Sequence, residues 1–171
     1  MMENLILSLE NSAMERWRCG DPWGFVELSA EDILYVDPGL TRPILDLEAY
    51  RAYMDPVRGK VNYQISEFLL PRVVTAGDAA LLSYNYRSTA TNPDGTVKGQ
   101  NHWNATEVYF RRNGQWQIVH THWSYVRHRQ PDLVEVPLPV RSEPTEYSGV
   151  LAELMALETA AMARYDRGDP W

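Results

Sequence analysis

The spacing of apolar residues predicts an amphipathic helix at the start of this chain. Ile6, Leu9, Ala13 and Trp17 recur at steps of three and four residues, which is the period of one helix face. We therefore expect a helix over residues 3–18.

Helix breakers then divide the next part of the chain into short elements. The sequence GDPW at 20–23 ends the first helix with a glycine and opens a further segment with proline at its first position. The apolar run ILYV follows SAED (29–32) and predicts a short strand, which DPGL stops. Residues 46–54 again have the pattern of a helix.

Four runs rich in β-branched and aromatic residues follow, which predicts four strands. They span residues 61–76, 79–91, 100–112 and 115–126. The turn sequences AGD and NPDG separate the first three, and Asn113-Gly114 is a strong signal for a hairpin before the last. Helices followed by a strand meander predict an α+β domain, with the helices packed on one face of an antiparallel sheet.

The C-terminal part of the chain differs in composition. Residues 129–147 contain four prolines, which predicts an extended linker after a folded domain at residues 1–128. The remaining segment, 148–171, is expected to form a final helix that ends near Arg167.

An internal repeat links the two ends of the chain. Residues 7–23 and 155–171 are identical at nine of seventeen positions, and both segments end in GDPW. We therefore expect the C-terminal helix to resemble the first helix of an incomplete second copy. Its apolar stripe, which includes Leu157 and Tyr165, predicts docking on a neighbouring chain or on its own domain.

Composition argues against several classes of protein. The net charge of −7, with scattered arginines, argues against a nucleic-acid partner. The first residues are not basic and no apolar run reaches about 18 residues, so neither a signal peptide nor a membrane span is expected. The single cysteine, Cys19, excludes an internal disulfide and a cysteine-based zinc site. A cytoplasmic location and no cofactor are the expectations.

Three motifs carry a resemblance to a known superfamily. DPGLT (37–41), YRAYM (50–54) and TEVYFRRNGQWQIVHTHWS (106–124) resemble, in the same order, segments of the association domain of calcium/calmodulin-dependent kinase II. That domain is part of the nuclear-transport-factor-2-like superfamily, with ketosteroid isomerase and the SnoaL-like polyketide cyclases. The resemblance implies a cone-shaped, curved antiparallel sheet wrapped around a long N-terminal helix, the cystatin-like α+β barrel. It also implies a pocket in the concave face, and homodimers or higher homo-oligomers formed through the outer face of the sheet.

The resemblance to ketosteroid isomerase provides two candidate catalytic acids. Asp37 falls on the position of its general base, and Glu107 lies near its second acid, which donates to the oxyanion when protonated. A carboxyl group in a desolvated aromatic pocket has a raised pKa and can move a proton between carbons of an activated ketone. The oxyanion tyrosine of the isomerase falls on Ala13, which argues against the same reaction. The alternative is that Asp37 only caps the DPGL turn.

The register of the last hairpin decides which side chains face the pocket. A two-residue loop would pair Glu107 with His120, whereas a three-residue loop would pair it with Val119. The kinase association domain has pocket arginines at the positions that match Glu107 and Trp123. Since these must share a face, we expect the three-residue loop, with Val119 facing the pocket and Ile118 facing away.

The same register predicts the chemistry of the pocket. Glu107, Trp123 and Tyr86 replace arginines of the kinase domain, so the pocket should not favour carboxylate ligands. We expect a small hydrophobic or aromatic ligand in an aromatic, mildly acidic pocket. The predicted ligand-binding residues are Trp17, Tyr35, Tyr50, Met54, Tyr84, Tyr86, Trp103, Tyr109, Thr121 and Trp123.

His120 and His122 are the obvious candidates for a metal site. They share a strand face, but zinc needs a third ligand and no motif such as H-E-x-x-H accompanies them. We therefore expect no metal and place both histidines on the outer face, towards a partner chain.

Three functions remain open from the sequence. The favoured one is a small-molecule-binding domain. The others are a metal-free isomerase, cyclase or dehydratase with Asp37 as general base, and an association module whose function is oligomerisation.

Overall fold

A five-stranded sheet in the order β1-β5-β4-β3-β2 is the framework of the first of two units, Met1–Leu138. The computed structural model describes residues 2–126 and 148–168. Its helices are α1 (Met2–Arg18), α2 (Trp23–Leu28), α3 (Leu47–Met54) and α4 (Gly149–Asp166), with a 3-10 turn at Asp55–Val57. Its strands are β1 (Ser29–Val36), β2 (Ile65–Ala76), β3 (Ala79–Thr91), β4 (Val97–Arg112) and β5 (Gln115–Tyr125).

The predicted α+β class is confirmed, with one strand in an unexpected direction. Strands β2 to β5 form an antiparallel meander, whereas β1 adds to β5 in parallel, with Tyr35 beside Thr121. A parallel pair needs a long connection between its strands. Here the connection contains α3 and the other three strands, so the two strands that meet at the pocket are far apart in sequence.

Helix α1 packs one face into the concave side of the sheet. Ile6, Glu10, Ala13 and Met14 are its buried residues and recur at helical spacing. Glu10 is therefore a charged residue type on a fully buried stripe. Gly24 allows the following helix to approach closely, because a Cβ there would lie 2.9 Å from the carbonyl oxygen of Ala13.

Helix α3 begins with a side-chain cap. The carboxylate of Asp46 accepts a hydrogen bond of 2.8 Å from the backbone N–H of Ala49, which satisfies a free donor of the first turn. Tyr50 and Met54, four residues apart, are the buried residues at the far end of the helix. The cap thus sets the start of a helix whose buried face points into the domain.

The predicted three-residue hairpin loop is wrong. Arg112 pairs with Gln115, and both loop residues have positive φ angles, 51° at Asn113 and 80° at Gly114. Asn-Gly readily adopts this type I′ conformation, whose twist matches that of the strands. The extra residue is accommodated in the strand instead of the loop.

A β-bulge in β5 restores the predicted facing of the pocket side chains. The register shifts at Val119, between the Tyr109–Ile118 and Val108–His120 pairs, so that Glu107 pairs with Thr121. The predicted Glu107–Val119 pair is therefore wrong. Ile118 was expected on the outer face but is 1% exposed in the core.

The second unit, Pro139–Trp171, is described only over residues 148–168. In α4 the side chains of Leu157 and Tyr165 are 67% and 68% exposed. The proline-rich segment 129–147, and the final residues of the repeat, lie outside the described residues. The boundaries of the linker and the docking of α4 stay predictions. No helix in the described ranges is both long enough and apolar enough to span a membrane.

Candidate ligand pocket

Rows of paired residues across the concave face build the wall of a cavity. Glu107 lies between Leu82 and Thr121, and Thr121 lies beside Tyr35 of β1. Along β4 and β5 the next pair is Ala105 and Trp123, followed by Trp103 and Tyr125. Because side chains alternate along a strand, the side chains of these pairs share one face.

The cavity encloses about 260 Å³ between this wall, helix α1 and helix α3. Asp37 and Glu107, the two candidate acids, both line it. Eight of the ten predicted ligand-binding residues also line it: Trp17, Tyr35, Tyr50, Met54, Tyr86, Trp103, Thr121 and Trp123. Tyr84 and Tyr109 do not, because their hydroxyl groups point to a buried carboxyl group behind the cavity.

Sequence reasoning missed several lining residues, although some had a signal. Tyr53 lies on the same face of α3 as Tyr50 and Met54, at helical spacing, and could have been included. The other missed residues are Met14, Phe25, Val57, Tyr63 and Ser88. Val57 and Tyr63 lie outside regular helices and strands, where no periodicity predicts a facing.

Asp37 caps the DPGL turn and also lines the cavity. Its Oδ1 accepts a 2.8 Å hydrogen bond from the backbone N–H of Gly39, which closes the DPGL turn. Its Oδ2 lies 3.3 Å from the donating hydroxyl of Tyr35. The residue is half-buried and comes directly after β1, at the level of Trp123 on the neighbouring strand. One carboxylate oxygen therefore holds the turn while the other is available beside the cavity.

Burial raises the pKa of Asp37 above its ordinary value. Hydrogen bonds from Gly39, Tyr35 and Tyr53 oppose this shift, because they favour the charged form, but they do not outweigh desolvation. A carboxyl group with a raised pKa exchanges a proton more readily near neutral pH than an ordinary aspartate does.

A second acidic cluster lies behind the cavity. Glu10 and Glu107 are both 0% exposed. The hydroxyl of Tyr84 donates to Oε1 of Glu10 at 2.5 Å, and the hydroxyl of Tyr109 donates to its Oε2. The same Tyr109 oxygen lies 2.8 Å from Oε2 of Glu107, whose Oε1 accepts from Thr121 at 3.3 Å.

Counting protons in this cluster assigns a neutral state to Glu107. The single proton of Tyr109 is donated to Glu10, so the contact with Glu107 requires a proton on the carboxyl of Glu107. Two unprotonated carboxylates this close would repel each other in a medium of low polarity. Accordingly, burial and the neighbouring Glu10 raise the pKa of Glu107 well above its ordinary value.

The described part of the cavity wall is uncharged or acidic. Among the described residues that line it, none is lysine, arginine or histidine. His120 and His122 lie on the opposite face of the sheet, where they pair with Val108 and Thr106. The described residues also contain no cluster of three or more histidine, cysteine, aspartate or glutamate side chains placed to hold a metal ion.

The family of the chain follows from comparison with known proteins. The family model of the calcium/calmodulin dependent protein kinase II association domain matches residues 3–126. The chain belongs to this family. No protein of curated function matches its sequence.

Solved structures similar to this association-domain chain have the same fold. A candidate ketosteroid isomerase from Parabacteroides distasonis is 35% identical, with a TM-score of 0.63 over 75% of this chain and 90% of its own. A nuclear-transport-factor-2-like protein of unknown function from Pseudomonas putida is 28% identical, with a TM-score of 0.62 over 72% and 85%. The association domain of the C. elegans kinase is 22% identical, with a TM-score of 0.61 over 72% and 95%. The predicted superfamily is thus confirmed.

A protonated Glu107 should make the stability of the folded protein depend on pH. Since the pKa is higher in the folded than in the unfolded protein, the folded state keeps a proton that the unfolded state loses above pH about 4.5. Stability should therefore fall as pH rises, by up to about 1.4 kcal/mol per pH unit, until the folded pKa is passed. Glu107→Gln, which keeps a donor towards Tyr109, should reduce this slope in urea denaturation between pH 5 and 8.

The control is Glu48→Gln, which changes an exposed carboxylate of α3. It should leave the slope as in the wild type. Parallel stability curves for wild type and Glu107→Gln would show that Glu107 is ionised in the folded protein.

Proposed function

We propose that this chain is a small-molecule-binding domain that assembles as a homodimer or higher homo-oligomer. One observation carries the first half of the proposal, namely the composition of the cavity wall. Nine of its sixteen lining residues are aromatic, two are acidic, and none in the described set is basic. Mostly apolar walls with a few placed polar groups are typical of ligand sites.

The size of the cavity limits the ligand. About 260 Å³ lies just below the range of roughly 300–1,000 Å³ for ligand pockets. A cavity of about 150 Å³ in another protein accommodates benzene. The ligand is therefore larger than benzene but small, with room for a short chain or a second small ring.

Binding should depend on the aromatic wall. We expect small aromatic alcohols and ketones, with phenol and acetophenone as probes, to shift the NMR signals of Trp103, Thr121 and neighbouring residues. Trp123→Ala should weaken binding about tenfold, because edge-to-face ring contacts at 6.0 and 6.1 Å to Trp103 and Tyr86 position this ring in the wall. Trp23→Ala, a half-buried tryptophan outside the cavity, is the control and should bind normally. Equal weakening by both variants would argue against the cavity as the site.

A second candidate function, proton transfer between carbons of a ketone, is supported by Asp37. Its carboxyl is half-buried beside the cavity and has a raised pKa, while Glu107, whose pKa is also raised, lines the same cavity as a second acid. This combination of a base and an acid is what enolisation requires. The oxyanion tyrosine of the isomerase is replaced by Ala13 here. Tyr50 and Tyr53, which line the cavity, are candidate hydroxyl donors in its place.

The isomerase function has a direct assay. If Asp37 is the base, the protein should convert 3-cyclohexenone to its conjugated isomer, which is followed by ultraviolet absorbance. Asp37→Asn should lower the rate by about 10²–10⁴-fold while the fold is kept, since asparagine retains the oxygen that caps Gly39. Asp78→Asn, an exposed aspartate paired with Arg111, is the control. A rate equal to that of buffer for the wild type would exclude this function for small ketones.

The outer face of the sheet supports the assembly half of the proposal. Leu81, Val108 and His120 pair in one row on this face, with Leu81 40% exposed. Near the hairpin, Phe110 is 39% exposed. Exposed apolar side chains on a central part of a sheet are typical of an interface. The similarity to an association domain of the C. elegans kinase also favours self-association.

Assembly should depend on this row. Light scattering coupled to size exclusion should give at least a dimer for the wild type, and Leu81→Glu should lower the mass because it places a charge in the interface. Val97→Glu changes a residue that is 63% exposed at the start of β4 and should leave the mass unchanged. A monomeric wild type, or a Leu81→Glu variant of unchanged mass, would refute assembly through this face.

A further inference from the structure

The cavity combines three features that together restrict its ligand. Its wall is mainly aromatic, it carries carboxyl groups without a basic residue among the described lining residues, and it contains a hydroxyl group without a partner. Each feature is complementary to a different chemical group of a ligand.

We propose that the ligand of this pocket is a small organic cation, namely an ammonium group on a short chain that also carries a hydroxyl or ester oxygen. The ammonium contacts the aromatic rings and Asp37, and the oxygen hydrogen-bonds to Ser88. This inference rests on the proposed function, since it names the ligand class of the same cavity.

The aromatic rings are suited to a cation. Tryptophan has the strongest attraction for cations among the aromatic side chains, and Trp17, Trp103 and Trp123 all line the cavity. Tyrosine rings of β3 and α3 complete the wall. Aromatic cages of this type recognise quaternary ammonium groups, and the attraction increases when the cation is desolvated.

The donors around Asp37 in the described part of the chain are neutral. There, Asp37 receives hydrogen bonds from Gly39, Tyr35 and Tyr53. A buried carboxylate is favourable when it is paired, and otherwise takes up a proton. A bound cation would supply the missing charge, so that Asp37 is ionised in the complex.

This arrangement makes binding dependent on pH. The other titratable groups that face Asp37 are the hydroxyls of Tyr35, Tyr50, Tyr53 and Tyr125, and burial raises the pKa of each of them. They therefore keep their protons at neutral pH. Among the described groups that face the cavity at this point, Asp37 gains negative charge as pH rises, so a cation should bind more tightly as pH rises. A neutral ligand that accepts a hydrogen bond from protonated Asp37 should bind more tightly as pH falls.

Ser88 provides a second, independent indication of a ligand. It is 1% exposed, it lines the cavity, and its Oγ has no hydrogen-bond partner among the residues that the structure describes. Leaving a buried hydroxyl unsatisfied is costly, so such a group is rare in a folded protein. A ligand oxygen in the cavity would satisfy it.

The experiment compares cations with neutral molecules of the same shape. Calorimetry of the full chain would measure binding of choline and acetylcholine against 3,3-dimethylbutan-1-ol and 3,3-dimethylbutyl acetate, in which a carbon atom replaces the nitrogen. We expect the cations to bind at least tenfold more tightly at pH 8, and this preference to decrease at pH 5. Asp37→Asn should remove the preference for cations, and Ser88→Ala should weaken the binding of all four compounds severalfold. Glu48→Gln, a surface change, should alter none of them.

A further variant protects the test against effects on folding. Trp123→Ala should weaken binding of the cations more than binding of their neutral counterparts. Equal weakening of both would show that the substitution only disturbs the pocket, and would refute the contact between the cation and this ring. If the neutral compounds bind as tightly as the cations, this inference is wrong, but the proposed small-molecule binding is supported. If phenol or acetophenone binds and neither cation does, the inference is likewise wrong and small-molecule binding is again supported. If none of these compounds binds, the inference and the proposed function both fail.

Discussion

The buried carboxylate of Glu10 holds the first helix against the sheet. It accepts hydrogen bonds from Tyr84 on β3 and Tyr109 on β4, and these connect residues 74 and 99 positions apart in the sequence. Hydrogen bonds are electrostatically stronger away from water than in it. Loss of the donors would leave buried carboxyl oxygens without hydrogen-bond partners, which is costly. The position of α1, and with it one side of the cavity, therefore depends on a polar contact inside an apolar core.

This contact also determines what the cavity presents to a ligand. Because Tyr109 donates to Glu10, Glu107 retains a proton and contributes a neutral carboxyl group to the wall. On the strands of this association-domain fold, the inward-facing residues that line the cavity are thus acids and aromatic rings. A few inward-facing residues therefore set the charge of the cavity wall, while the sheet only supports them.

The sequence predicted most of the elements and much of the cavity wall, and the failures have physical reasons. Periodicity located α1 through Ile6 and Ala13, but Glu10, four residues after Ile6, was overlooked because a charged residue is expected on the surface. Its partners are distant in sequence, and no local pattern indicates them. Alternation along β4 and β5 predicts which side chains face the cavity only when every residue takes part in strand pairing. The bulge at Val119 broke that condition, so the facing of Ile118 was predicted wrongly.

The bulge also decides which of two very different sets of side chains faces the pocket. With the two-residue loop and no extra residue in the strand, Glu107 would pair with His120, and His122 would face the same side. Two histidines and one carboxylate on one face form the ligand set of many iron and zinc enzymes. A single unpaired residue at Val119 therefore keeps a set of metal ligands divided between the two sides of the sheet. Sequence insertions in β-strands can thus change the chemistry of a site without altering any of the residues that form it.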